Sequence, residues 1–244
     1  MCEILVTGAS GNVGRHVHAS LSAAGVPVCG VSRKDADLLD PASLEPLLDR
    51  VETVFLVWPE PSAERAAPVI ELIAEYARRV VYLSAHAPTP TFHTDVERLI
   101  EHSGLGWTFL RATGFAVNTL ALADQVRSGV VRGPYGMARR SLIHEKDVAA
   151  VATHVLASAG HGGVRYVLSG PEALTQIEQV RILGETVGRE VRWEEACAGG
   201  AEAVNACGAF VESPETVTNT VRVLTGREPR SFREWARDHA DAFR

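Results

Sequence analysis

Residues 7–14 read Thr-Gly-Ala-Ser-Gly-Asn-Val-Gly, which places glycines at positions 8, 11 and 14. Before them lies a short apolar run, residues 3–7, of the kind a buried parallel strand requires. After Asn12 the spacing turns helical, with Val13, Val17 and Leu21 on one face and Gly25 as the stop. A glycine turn between a strand and a helix constrains this chain more than any other stretch. Gly8 permits the tight turn, Gly11 lets the backbone approach a pyrophosphate, and Gly14 lets the helix close on the strand. The helix N-terminus adds free N–H groups and the positive end of its dipole. With strand and helix in place, the loop reads as a dinucleotide cradle. Thr7, Gly8, Ser10, Gly11, Asn12, Val13 and Gly14 are its candidate binding residues.

The alternation continues. Strands are expected over residues 26–31, 53–58, 80–84, 107–111 and 164–168, and helices over 62–78, 94–103 and 147–157. Asp40-Pro41 suits an N-cap and first turn, and Thr175-x-x-Glu178 is a capping-box pattern opening a helix that runs to Gly188. From Thr216 the chain is rich in charge at helical spacing, anchored by Phe232, Trp235 and Phe243. Strands separated by helices at this density predict an α/β fold, a Rossmann-like doubly wound parallel sheet. We expect a single domain over 1–244 with a small C-terminal substrate-side region. Its cofactor part is 1–115 with 142–170, and its substrate side is 116–141 and 171–244.

The end of the second strand bears on cofactor choice. An acidic residue there would bind a ribose 2′-hydroxyl and repel a 2′-phosphate. This chain has Ser32-Arg33-Lys34 instead. Two cations beside a hydroxyl suit a 2′-phosphate, which Arg33 can grip bidentately; the alternative is a solvated basic turn. NADP(H) is favoured over NAD(H). Asp35 and Asp37 follow closely, one of them expected to begin the next strand. Val57 and Trp58, and His86 further on, follow strand ends where open α/β sheets bind ligands.

Composition excludes several classes. Twenty-four basic against 30 acidic residues give a net charge of −6, unsuited to a nucleic-acid binder. No apolar run approaches the roughly 20 residues that span a bilayer. The N-terminus enters a strand without a basic leader or cleavage site and reads as cytoplasmic. Cys2, Cys29, Cys197 and Cys207 have no metal-ligand spacing and read as buried free thiols. A Cys197–Cys207 disulfide would be unusual in a reducing compartment.

The glycine signature resembles that of the atypical short-chain dehydrogenases, the NmrA-like group with NADPH-dependent quinone and triphenylmethane reductases. The similarity runs on through Asp37-Leu38, Ser84, and residues 103–111 with Phe115 and Asn118. It continues through residues 129–136, 146–149 and 166–174, nearly the whole chain. The resemblance implies NADP(H), with Asp37 and Leu38 on its adenine side, and Ser84 as a catalytic serine. The group also contains isomerase-like enzymes and non-catalytic redox sensors.

Two departures matter. Only three residues separate Arg33 from Asp37, where such proteins often carry a helix and part of a strand, so the adenine side should be more open. The wider superfamily uses a Tyr-x-x-x-Lys pair, but Tyr76, Tyr82, Tyr135 and Tyr166 are followed four residues later by Val80, His86, Arg139 and Gly170. Registering on Glu97 puts Thr89 and His93 where Tyr and Lys would fall. Ser84 either hydrogen-bonds a substrate oxygen or satisfies a strand-end backbone group. His93 either reaches the nicotinamide ribose, serves as an acid, or sits in solvent. Glu97 reads as the partner of Thr94 in a capping box, and Asp147 as a helix cap. Phe115, Asn118 and Tyr135, with His86, are candidates for the substrate wall, and no metal site is expected.

Without a tyrosine acid an ordinary ketone lacks a proton donor, worth typically 10²–10⁴-fold. A conjugated acceptor such as a quinone or enone yields a stabilised anion that water can protonate. The expected function is NADPH-dependent reduction of a conjugated, quinonoid or aromatic small molecule by a monomer or homodimer. The alternatives are a non-catalytic NADP(H)-binding sensor acting through a protein partner, and a redox-neutral isomerase or epimerase.

Overall fold

The computed structural model describes residues 2–197 and 208–244. Its elements begin with β1 (Ile4–Thr7), α1 (Gly14–Ala23), β2 (Val28–Val31), α2 (Pro41–Leu44), β3 (Thr53–Leu56) and α3 (Ala66–Tyr76). β4 (Arg79–Ala85), α4 (Phe92–His102) and β5 (Gly106–Ala112) follow. Next come β6 (Gly114–Phe115), α5 (Ala123–Ser128), β7 (Val130–Gly133), β8 (Arg139–Arg140), β9 (Leu142–Ile143) and α6 (Glu145–Ala157). The chain ends with β10 (Val164–Leu168), β11 (Leu174–Thr175), α7 (Gln176–Val187), β12 (Arg192–Glu195), α8 (Thr220–Thr225) and α9 (Phe232–Asp238). No helix among the described residues is long and apolar enough to cross a membrane.

Two compact units result, Met1–Ala112 with Val148–Val167, and Thr113–Asp147 with Leu168–Arg244. In the first, a six-stranded sheet runs in the order β10-β5-β4-β3-β1-β2. The ladders β2–β1, β1–β3, β3–β4 and β4–β5 are all parallel. The order reverses between β1 and β3, the switch point at which open α/β sheets take their ligands. The sheet stops at β2. No strand lies beyond it among the described residues, in keeping with the short Arg33-to-Asp37 connection.

Local chemistry explains most element ends. α1 buries Gly14, Val17 and Leu21, and the chain leaves it through Gly25 at φ +73°. Asp40 accepts the Ala42 amide and caps α2, with Pro41 in the first turn. Phe55, Tyr82 and Phe109 are fully buried in the strands they belong to. Burial of such side chains contributes about 1.5–3 kcal/mol each.

In the second unit three two-stranded ladders, β6–β9, β7–β12 and β8–β11, accompany the helices. Thr175 and Glu178 form the expected capping box on α7, which ends at Gly188 in the left-handed region. Phe232, Trp235 and Phe243 are buried against Ile182 and Leu183 of α7, as the C-terminal anchors require.

Several expectations need correction. Neither Asp35 nor Asp37 begins a strand; the chain turns there, with both the Ser32 amide and hydroxyl donating to Asp35. Thr91, not Thr94, is the N-cap of α4, and its amide donates to Thr94 Oγ1. Glu97 therefore lies inside the helix. Asp147 is no cap, since α6 starts at Glu145, and its carboxylate binds the Arg230 amide and guanidinium. The cysteines are not four buried thiols. Cys2, which precedes β1, and Cys29 in β2 form a disulfide with Cα atoms 5.7 Å apart, and Cys197 is an exposed free thiol. Cys207 lies outside the described residues.

Candidate functional site

β1 delivers the glycine loop to the switch point. Thr7 is buried and its hydroxyl ties two strands, donating to the Phe55 carbonyl at 3.2 Å and accepting the Val57 amide at 2.8 Å. Gly8 holds φ +62°, a conformation that favours glycine. A Cβ on Gly14 would stand 2.2 Å from the Gly8 carbonyl oxygen, so only glycine lets α1 start this close to the loop.

A cavity of about 330 Å³ opens over this loop, lined by Thr7, Gly8, Ser10 and Gly11, by Val31 to Arg33, and by Ala36 to Leu39 with Val57 and Pro59. It gathers most of the candidate cofactor residues: Thr7, Gly8, Ser10, Gly11, Ser32, Arg33, Asp37, Leu38 and Val57. Asn12 is exposed in the turn before α1 and Val13 is buried at its N-cap. A dinucleotide fits this chemistry: a glycine cradle that a Cβ would fill, an apolar floor, and a cation at the rim. That cation is Arg33, exposed and without a hydrogen-bond or ion-pair partner among the described residues. Ser32 is committed elsewhere, since its hydroxyl donates to Asp35 at 2.7 Å. This hydrogen bond and that of the Ser32 amide hold the Asp35 carboxyl below the usual range.

Trp58 departs from expectation. Its indole packs into the core and its N–H donates to the Ser62 carbonyl at 2.6 Å, so it faces inward. Ala36, Leu39 and Pro59 line the cavity and were missed. Their only signal was nearness to strand ends.

β4 and α4 carry the second group. Ser84 pairs in register with Arg111 across β4–β5. Ser84 is 1% exposed and its hydroxyl donates to Glu97 Oε1 at 2.5 Å. Arg111 grips the same carboxylate, Nε on Oε1 at 2.9 Å and Nη2 on Oε2, and this raises the guanidinium pKa. Ser84 therefore serves as an internal tie in the structure, its hydroxyl hydrogen-bonded to Glu97, rather than donating to a substrate oxygen. Glu97 and Arg111 were missed as its partners, because that contact depends on strand register.

His93 sits half-buried in the first turn of α4, its ring 4.0 Å from that of Phe92, and Nδ1 lies 2.7 Å from the Tyr82 hydroxyl. Burial pulls its pKa down to about 4, against a smaller upward pull from Glu97. The imidazole is neutral at pH 7, which argues against its serving as a charged acid. Tyr82 is wholly buried, and burial pushes its phenol far above the ordinary range. Thr89 is exposed. His86 is half-buried after β4; its amide donates to the Ala112 carbonyl at 2.7 Å, and its ring has no hydrogen-bond partner among the described residues.

Phe115, Asn118 and Tyr135 belong to the second unit. Phe115 is half-buried in β6, opposite Ile143, and Asn118 is exposed in the following 3-10 turn. Tyr135 holds φ +61°, a costly conformation for a bulky residue. Glu195 pins it there by accepting the amides of Tyr135 and Gly136.

Comparison with known proteins agrees with this geometry. The NAD dependent epimerase/dehydratase family matches residues 4–99. The (4-alkanoyl-5-oxo-2,5-dihydrofuran-3-yl)methyl phosphate reductase of Streptomyces griseus is 37% identical, covering 98% of this chain and 99% of the relative. The NAD(P)H azoreductase of Xenophilus azovorans is 29% identical over 98% of this chain and 99% of its own. Among solved structures, the NADPH-dependent quinone oxidoreductase of Escherichia coli in complex with NADPH shares the fold. It superimposes with a TM-score of 0.79 at 23% identity, covering 97% of this chain and 99% of that one. The chain thus belongs to the NAD dependent epimerase/dehydratase family, as an oxidoreductase of the atypical short-chain type.

Proposed function

We propose that the protein is an NADPH-dependent reductase of a conjugated small molecule: a quinone, an enone, or an acylated unsaturated lactone. The observation that carries this is the absence of the usual tyrosine general acid and of a charged group in its place. No Tyr-x-x-x-Lys pair exists in the sequence, and the residue registered at the lysine place, His93, is neutral at pH 7.

The glycine loop would receive the pyrophosphate on backbone amides and the start of α1, with Arg33 at the 2′-phosphate and Leu38 and Val57 against the adenosine. With NADPH held there, the cofactor would supply hydride chemistry; a conjugated acceptor could spread the resulting charge over its oxygens and take its proton from water. His93, as a neutral donor, orients the nicotinamide ribose or the acceptor oxygen. Ser84, Glu97 and Arg111 hold β4, α4 and β5 rigid beneath it. The Streptomyces griseus relative fits this reading, because the substrate in its name is a ring alkene conjugated to both a lactone and an alkanoyl carbonyl. Its phosphate is a further group to test here.

The test is NADPH oxidation against a panel of quinones, azo dyes, acyl-butenolides with and without a phosphate, and simple ketones. Conjugated acceptors should turn over and simple ketones should not. Ketones reduced as fast as quinones would overturn the reading, and tight NADPH binding without oxidation on any acceptor would favour the sensor.

A further inference from the structure

Tyr82 is a fully buried phenol in the middle of β4. Among the described residues its hydroxyl has one hydrogen-bond partner, Nδ1 of His93, at 2.7 Å. Two proton arrangements satisfy that distance. If His93 carried its proton on Nδ1 and donated to Tyr82, the phenol O–H would be buried with no acceptor. A buried donor without a partner costs the full desolvation of the group. If Tyr82 donates, the phenol O–H and Nδ1 are both satisfied, and the imidazole proton must sit on Nε2. The buried phenol cannot ionise near neutrality and so cannot reverse the arrangement.

We propose that Tyr82 is a positioning residue that fixes His93 as the Nε2–H tautomer, so that the site presents Nε2–H as a standing donor to an acceptor oxygen. Phe92, its ring tilted 31° to the imidazole at 4.0 Å, restrains it from one side. Burial keeps His93 from gaining a second proton, so the donor stays neutral above about pH 5. The inference rests on the reading above that His93 serves the cofactor or substrate, but its physical core, the tautomer, does not require turnover.

Two measurements test it. Nitrogen NMR of the wild-type protein with NADPH bound, His93 being identified by its loss in His93→Gln, should give a pyridine-like Nδ1 and a pyrrole-like Nε2 between pH 6 and 8. Tyr82→Phe, which keeps the ring, should move both signals toward tautomer averaging. In a quinone assay Tyr82→Phe should lower kcat about threefold to tenfold with KM for NADPH unchanged, and should add nothing in the His93→Gln background. A proton on Nδ1 in the wild type would overturn the proposal. So would an equal loss in both backgrounds, which is what a merely structural tyrosine produces. If no acceptor oxidises NADPH, the proposed function fails, and the tautomer still decides this inference separately.

Discussion

Replacing Arg33 with alanine isolates the contact proposed to select NADP over NAD. Ser32, the other candidate donor, donates its hydroxyl to Asp35, and the guanidinium of Arg33 at the cavity rim has no partner among the described residues. A hydrogen bond to a charged group contributes roughly 1.5–3 kcal/mol. Arg33 is exposed, so the lower end of that range applies, about 1.5 kcal/mol, or roughly tenfold in Kd, at physiological salt. At about 0.01 M salt the screening length grows from roughly 8 Å to roughly 30 Å, and the loss should approach a hundredfold. Arg33→Lys keeps the charge without the planar fork and should fall between. Fluorescence titration of NADPH and NADH into the three proteins at both salt levels reads this directly. NADH should bind all three alike. Equal wild-type affinities for the two cofactors, or an equal loss of both in Arg33→Ala, would refute the assignment.

Gly14→Ala drives a Cβ into the Gly8 carbonyl; overpacking of this kind costs about 1–3 kcal/mol, and NADPH binding should be lost in titration alongside a lower urea midpoint. Glu97→Ala strands the Arg111 guanidinium and the Ser84 hydroxyl. Removing one partner of a buried pair costs about 3–5 kcal/mol; the Arg111 side chain is 29% exposed, so the lower end applies, and at roughly 2–4 °C per kcal/mol a chain this size should melt about 6 °C lower. A melting temperature within a degree of wild type would show that the tie contributes nothing. For His93, Gln should retain much of the quinone-reduction rate, while Ala should lose about tenfold to a hundredfold, or 1.4–2.7 kcal/mol of barrier. The lowered His93 pKa also sets a pH trend. The unfolded chain takes up that proton near pH 6.5 and the folded one only near pH 4, so this contribution to stability falls as pH drops through that window and levels off below it. Urea midpoints at pH 7, 6 and 5 should show a shallower decline in His93→Gln than in wild type.

The sequence by itself determined the glycine cradle, the alternation of strands and helices, and the caps at Asp40 and at Thr175 with Glu178. It also determined the buried face of α1 and the aromatic anchors of the C-terminal helix. These follow from backbone sterics, hydrogen bonding within a turn, and periodicities of two and 3.6 residues, all of which act over a few neighbouring positions. The missing Tyr-x-x-x-Lys pair was equally legible, because it is a spacing within one stretch. Only the tertiary structure decided which side chains meet. Ser84 reaches Glu97 and Arg111 because β4 and β5 pair at one register and α4 packs over them. A one-residue slip would turn those side chains to the opposite face of the sheet. Trp58 turned into the core, and Asp147 found Arg230 eighty-three residues later. Cys2 met Cys29 of β2, and Tyr82 came to hold His93. Each of these contacts joins separate elements, and no local pattern encodes a partner that packing alone brings near.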